Sequence, residues 1–108
     1  MAIIAVTEQT YEQQVQQAAL PVLVDFWAPW CVHCRRIMPA LEALEEQLSG
    51  TVQFVKINAD EEPELLAKNN VDTLPTLKLF SNGVCKGQLV APTTKAAIEA
   101  FIRSGLEA

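Results

Sequence analysis

The chain reads as an α/β domain, a mixed β-sheet with helices on both faces. Three observations predict it. Apolar runs of strand length alternate with stretches whose apolar residues recur at helical spacing. The run Val22–Trp27 is apolar almost throughout, as in a strand covered on both sides. Ser81-Asn82-Gly83 separates the last two strand-like runs and reads as a hairpin turn. The 108 residues, half of them apolar, fit one domain over 1–108 with its own core.

The elements follow in order. Residues Ile3 to Val6 read as a short strand. Thr7 is placed to cap the next helix, with Tyr11, Val15 and Ala18 or Ala19 on its inner face. Pro21 opens the buried strand to Trp27. A helix then runs from Cys31 to about Leu48, with Ile37, Leu41, Leu44 and Leu48 inward and Ser49-Gly50 as its stop. Pro39 lies inside it and predicts a kink. Val52 to Ile57 is a third strand, and Glu62 to Lys68 a short helix with Pro63 in its first turn. Thr76 to Phe80 and Val84 to Leu89 flank the hairpin turn. Thr93 or Thr94 caps a last helix carrying Ala97, Ile98, Phe101 and Ile102 on one face.

Charge excludes some functions. Thirteen acidic against eight basic residues give −5, and no basic cluster follows the chain, so nucleic acid is not an expected partner. Asp60, Glu61, Glu62 and Glu64 read as a solvated loop and helix start. No run approaches the roughly 20 apolar residues of a membrane span. The apolar Met1–Val6 lacks the basic start and the length of a signal peptide. The odd cysteine count argues against a disulfide-stapled secreted scaffold. These readings point to a monomer in the cytoplasm, or in an organelle stroma after removal of a transit peptide.

Cys31 and Cys34 carry the chemistry. They stand where the buried strand turns into a helix, and a cysteine at a helix N-terminus faces unpaired N–H groups and a dipole that favour thiolate over thiol. The alternative is half of a zinc site, but closed zinc sites take four ligands. Beyond the pair the chain has only Cys85 and His33, and His33 lies between the two cysteines. An iron–sulfur cluster meets the same shortage. A redox dithiol that needs no cofactor beyond its own disulfide fits better.

Val24-Asp25-Phe26-Trp27-Ala28-Pro29-Trp30-Cys31, followed by Cys34, Pro39, Lys56, Asp60, Leu74-Pro75-Thr76, Phe80 and Asn82-Gly83, resembles the thioredoxin family almost end to end. The resemblance implies the thioredoxin fold and disulfide exchange with protein substrates, the dithiol being restored by an upstream reductase whose type the sequence does not name. Two places depart from the family pattern. Val32-His33 stands where Gly-Pro is usual, and a histidine before the second cysteine resembles protein disulfide isomerases and the bacterial periplasmic oxidases. Ala91, followed by Pro92, stands where the family has glycine.

On this resemblance Cys31 is the nucleophile and Cys34 resolves the mixed disulfide. Asp25 interrupts an apolar strand, where an unpaired buried charge costs several kcal/mol. Two readings, which can hold together, are a salt bridge with Lys56 and, by resemblance, proton acceptance from Cys34 through solvent. Pro75 resembles the family's cis-proline opposite the cysteines, with Leu74 beside it in the substrate groove, and Val32 and Ala91 shape the surroundings. Trp30 is expected on an exposed apolar rim, Trp27 in the core or over the site. His33 near Cys31 would stabilise the thiolate and make the protein less reducing, by roughly 30 mV for each pKa unit. Alternation with Lys86 and Gln88 places Cys85 inward beside Leu89, as a small hydrophobe. The rival functions are a disulfide isomerase or oxidase, favoured by His33, and a non-catalytic binding module on the same fold.

Overall fold

The computed structural model describes residues 3–107; Met1, Ala2 and Ala108, and with them the start of the apolar Met1–Val6 run, lie outside the described residues. In chain order the elements are β1 (Ile4–Ala5), one π-helical turn (Glu12–Gln16), β2 (Val22–Trp27), α1 (Val32–Gln47), β3 (Gln53–Asn58), α2 (Pro63–Lys68), β4 (Thr76–Ser81), β5 (Val84–Val90) and α3 (Lys95–Glu107). The sheet has five strands in the order β1-β3-β2-β4-β5. β3 runs parallel to β1 and β2, β4 antiparallel to β2, and β5 antiparallel to β4. This mixed sheet flanked by helices is the thioredoxin fold.

Side chains alternate across β2, so one strand supplies both cores. Leu23 joins Phe54, Leu77 and Leu79 beneath Ile37, Leu41 and Leu44 of α1 and Ile98 and Ile102 of α3. Val22, Val24 and Phe26 point the other way, onto Tyr11, Val15 and Leu65. Val24, Phe26, Leu44, Leu77 and Ile98 are wholly inaccessible to water, and burying each side chain of this size contributes about 1.5–3 kcal/mol. Buried on both faces, β2 carries its loop ends on a rigid base. Pro39 lies within α1, which continues past it to Gln47.

The sequence expectations need correction in three places. The first helix is a single π turn, closed by the Gln17 N–H to the Glu12 carbonyl, and Thr7 does not cap it: its backbone N–H bonds the Thr10 hydroxyl in a turn that ends before Tyr11. Of Ala18 and Ala19 it is Ala18 that packs inward, against the Tyr11 and Val15 cluster, while Ala19 is exposed. Ala97 faces solvent, although its N–H donates to the Thr94 hydroxyl oxygen, the expected cap. Cys85 is exposed rather than inward. The reason is a β-bulge: Leu79 pairs with Gly87 but Phe80 with Cys85, so Lys86 is an extra residue in β5. The bulge puts Cys85 opposite Phe80 and Leu89 opposite Leu77, which lie on opposite faces of the sheet.

Candidate active site

β2 ends at Trp27 and the chain turns through Ala28-Pro29-Trp30 into α1. The turn is fastened twice, by the Cys31 N–H to the Ala28 carbonyl at 3.1 Å and by Arg35 Nη1 to the Pro29 carbonyl at 2.7 Å. Cys31 is the N-cap of α1, with extended backbone (φ −83°, ψ 105°), and its Sγ accepts the Cys34 backbone N–H at 3.1 Å. The capping atom is therefore sulfur, in the position where a serine or aspartate oxygen would satisfy the same donor. A negative charge on Sγ would gain both that hydrogen bond and the helix dipole.

Cys31 and Cys34 are joined as a disulfide, with 5.3 Å between their Cα atoms. They differ in access, Cys31 being 7% exposed and Cys34 0%. Ala28 completes the buried cluster around them, with Trp27, Ala59 and Leu74 packed against it. Trp30 lies outside as expected, 65% exposed, its indole N–H held by Asp60 Oδ1 at 3.1 Å.

Asp25 shares the α1-covered face of β2 with Leu23. It is 2% exposed, and neither carboxylate oxygen has a hydrogen-bond partner. Burial pushes its pKa up to about 7, and the positive charge of Lys56 pulls it partway back. Lys56 is its register neighbour on β3, yet the two form no salt bridge: the Lys56 ammonium lies over the Trp27 ring, 5.2 Å from its centroid. The expected ion pair with Lys56 therefore does not form, and Lys56 acts on the carboxyl only through space.

Two loops close the site from the sheet side. The Leu74–Pro75 peptide is cis, and the Pro75 carbonyl accepts the Ala91 N–H at 2.8 Å. Ala91 itself has φ +50°, a left-handed conformation that costs a side-chain-bearing residue about 1–2 kcal/mol. From the helix side His33 reaches over, its Nε2 2.8 Å from the Pro92 carbonyl. Val32 is 49% exposed beside it. The structure thus gathers Cys31, Cys34, Trp27 and Leu74 in one cluster, places Asp25 in β2 two residues before Trp27, ties Pro75 to Ala91 and His33 to Pro92, and turns Cys85 outward on β5.

Sequence reasoning missed Arg35, which fastens the turn, and the tie from Trp30 to Asp60. The second had a signal: Asn58 two residues before Asp60 accepts the Asp60 N–H on its side chain at 2.9 Å, a local turn that aims the aspartate. Among the described residues no group of three or more histidine, cysteine or acidic side chains could hold a metal ion, and no helix is long and apolar enough to cross a membrane.

Comparison with known proteins agrees with this geometry. The Thioredoxin family model matches residues 2–104. The chain is 38% identical over 94 residues to Thioredoxin 1 of Synechococcus elongatus, covering 87% of this chain and 88% of that protein. It is 43% identical over 93 residues to a Thioredoxin of Streptomyces clavuligerus, 86% of each, and 38% identical over 101 residues to a Thioredoxin of Rickettsia bellii, 94% of this chain and 96% of the relative.

Proposed function

Because the chain belongs to the thioredoxin family and is a thiol–disulfide oxidoreductase with protein-disulfide reductase activity, we propose how its own residues divide that work. In the dithiol form Cys31 attacks one sulfur of a substrate disulfide as thiolate. A mixed disulfide forms and the first substrate thiolate leaves. Cys34 then loses its proton, attacks Cys31 Sγ, closes the Cys31–Cys34 disulfide and releases the second substrate thiolate. Two electrons pass to the substrate, and an upstream reductase of unspecified type returns them to the pair. The observation that carries this reading is the asymmetry of the pair: Cys31 caps the helix, receives the Cys34 N–H and reaches the surface, while Cys34 is fully buried.

Asp25 takes the Cys34 proton, through solvent admitted when the pair opens. Support comes from its pKa near 7, which leaves it able both to accept and to return a proton at neutral pH. Lys56 limits how far that value rises. Trp30, Val32, Leu74, Pro75 and Ala91 surround Cys31 as the surface on which the target polypeptide lies. An exposed free Cys85 fits a reducing compartment, cytoplasm or organelle stroma.

His33 favours a second reading, net disulfide formation or isomerisation. Its Nε2 is engaged by Pro92, so any stabilisation of the Cys31 thiolate comes from charge on the ring rather than from that nitrogen. The reduction potential, read from tryptophan fluorescence in glutathione and dithiothreitol buffers, separates the two directions. Roles are tested by trapping. Incubated with a disulfide-bonded protein, Cys34→Ser accumulates a mixed disulfide and Cys31→Ser accumulates none. The reverse pattern would exchange the roles of the two sulfurs.

A further inference from the structure

His33, one of the two residues between the cysteines, is joined to the loop before α3 by one hydrogen bond, and that bond ends next to a strained residue. A carbonyl oxygen only accepts, so His33 Nε2 must carry the proton that bridges the 2.8 Å to Pro92 O. The tautomer is thereby set, and a second proton on Nδ1 would not break the contact. Pro92 has no N–H, which makes that carbonyl its single hydrogen-bonding group. On its other side Ala91, at φ +50°, gives its N–H to the Pro75 carbonyl at 2.8 Å. A non-glycine residue persists in that conformation only where its surroundings over-determine it. Here they do so through two tethers, one to the loop of Pro75 and one to the first turn of α1.

We propose that His33 is a positioning residue for protein substrates: its Nε2–H clasps the Pro92 carbonyl and so holds the Ala91-Pro92 segment as a wall of the polypeptide-binding surface. The inference rests on the thiol–disulfide reading above. The clasp borders an open groove of ≈ 470 Å³ lined by Val32, His33, Arg36, Ile37 and Thr93, the first two of which separate the cysteines in sequence. A disulfide within a polypeptide brings flanking backbone across this wall when its sulfur reaches Cys31, whereas a small aromatic disulfide does not extend so far. His33 therefore acts on which disulfides are bound, besides whatever its charge does to the thiolate.

The test separates hydrogen bond from charge. Glutamine offers an N–H at similar reach without a titratable ring, and alanine offers neither. His33→Ala is expected to raise KM for insulin reduction with dithiothreitol as electron source by roughly three- to tenfold, the worth of one net hydrogen bond. His33→Gln is expected to return KM toward the wild-type value. Amide hydrogen exchange at Ala91 follows the same pattern, faster by a similar factor in His33→Ala and near wild type in His33→Gln. Unchanged KM and unchanged Ala91 exchange in His33→Ala overturn the proposal. So does a His33→Gln variant that behaves like His33→Ala in both readouts, since charge alone would then explain the residue. If the wild-type protein reduced neither insulin nor a small aromatic disulfide, the functional reading would fall, and Ala91 exchange would still decide the clasp.

Discussion

Replacing Asp25 with alanine should make the oxidised protein more stable at alkaline pH and not at acidic pH. In the fold its carboxyl titrates near 7, against 3.8 in the unfolded chain, because burial disfavours the charged form more than Lys56 compensates. A raised carboxyl pKa means the folded state binds its proton more tightly than the unfolded one. The associated stability is fully present below about pH 3.8, is lost as pH rises from there, and is gone above about 7. Each pH unit in that window removes about 1.4 kcal/mol, about 4 kcal/mol in all. Alanine abolishes the titration and leaves a small void worth about 1 kcal/mol. The expected net gain is then about 3 kcal/mol above pH 8, shrinking to nothing or reversing near pH 4. Urea unfolding of both oxidised proteins from about pH 5 to 8.5 measures it, with the m-value as control for two-state behaviour. Between those limits the wild type should lose about 3 kcal/mol relative to the variant. A constant offset at every pH would refute the argument, because Asp25 would then not titrate in the fold where its burial places it.

Two more outcomes follow from packing and access. A Cβ at Gly105 would run into the side chain of Leu79, which is held in the α1/α3 core, so Gly105→Ala sets overpacking of about 1–3 kcal/mol against about 1 kcal/mol of helix propensity. A melting temperature a few degrees lower is expected, and an equal or higher one would show that Leu79 yields freely. Maleimide followed by mass spectrometry should place one label on the native oxidised protein, at Cys85. After mild reduction it should place a second at Cys31, with Cys34 labelled only on unfolding. An unlabelled Cys85 in the oxidised protein would contradict the bulge that turns it outward.

Elements whose positions follow from side-chain periodicity were legible in the sequence. The apolar run of β2, the inward stripe of α1 and the turn Asn82-Gly83, with φ of +53° and +79°, all appear where composition places them. Cys85 was not legible, because strict alternation holds only while the register does, and a single extra residue reverses every face beyond it. The segment after Thr7 failed for a related reason: capping residues signal a helix start, but Thr7 and Thr10 spend their groups on each other. In the site, Cys31, Cys34 and Asp25 stand out because their chemistry conflicts with their surroundings. The partner of His33 does not. It is a backbone carbonyl 59 residues away, and every residue has one, so no side-chain pattern could mark it.

The two tryptophans differ in one further respect. Trp27 packs against the cysteine pair, while Trp30 faces water and is tied to Asp60. Sulfur in contact with an excited indole quenches its emission, so Trp27 brightens or dims with the state of the pair. Trp30, at the rim, shifts colour when a partner displaces its water. The chain thus carries two optical channels three residues apart, one reporting electrons and the other reporting occupancy, and a single spectrum can follow both during turnover.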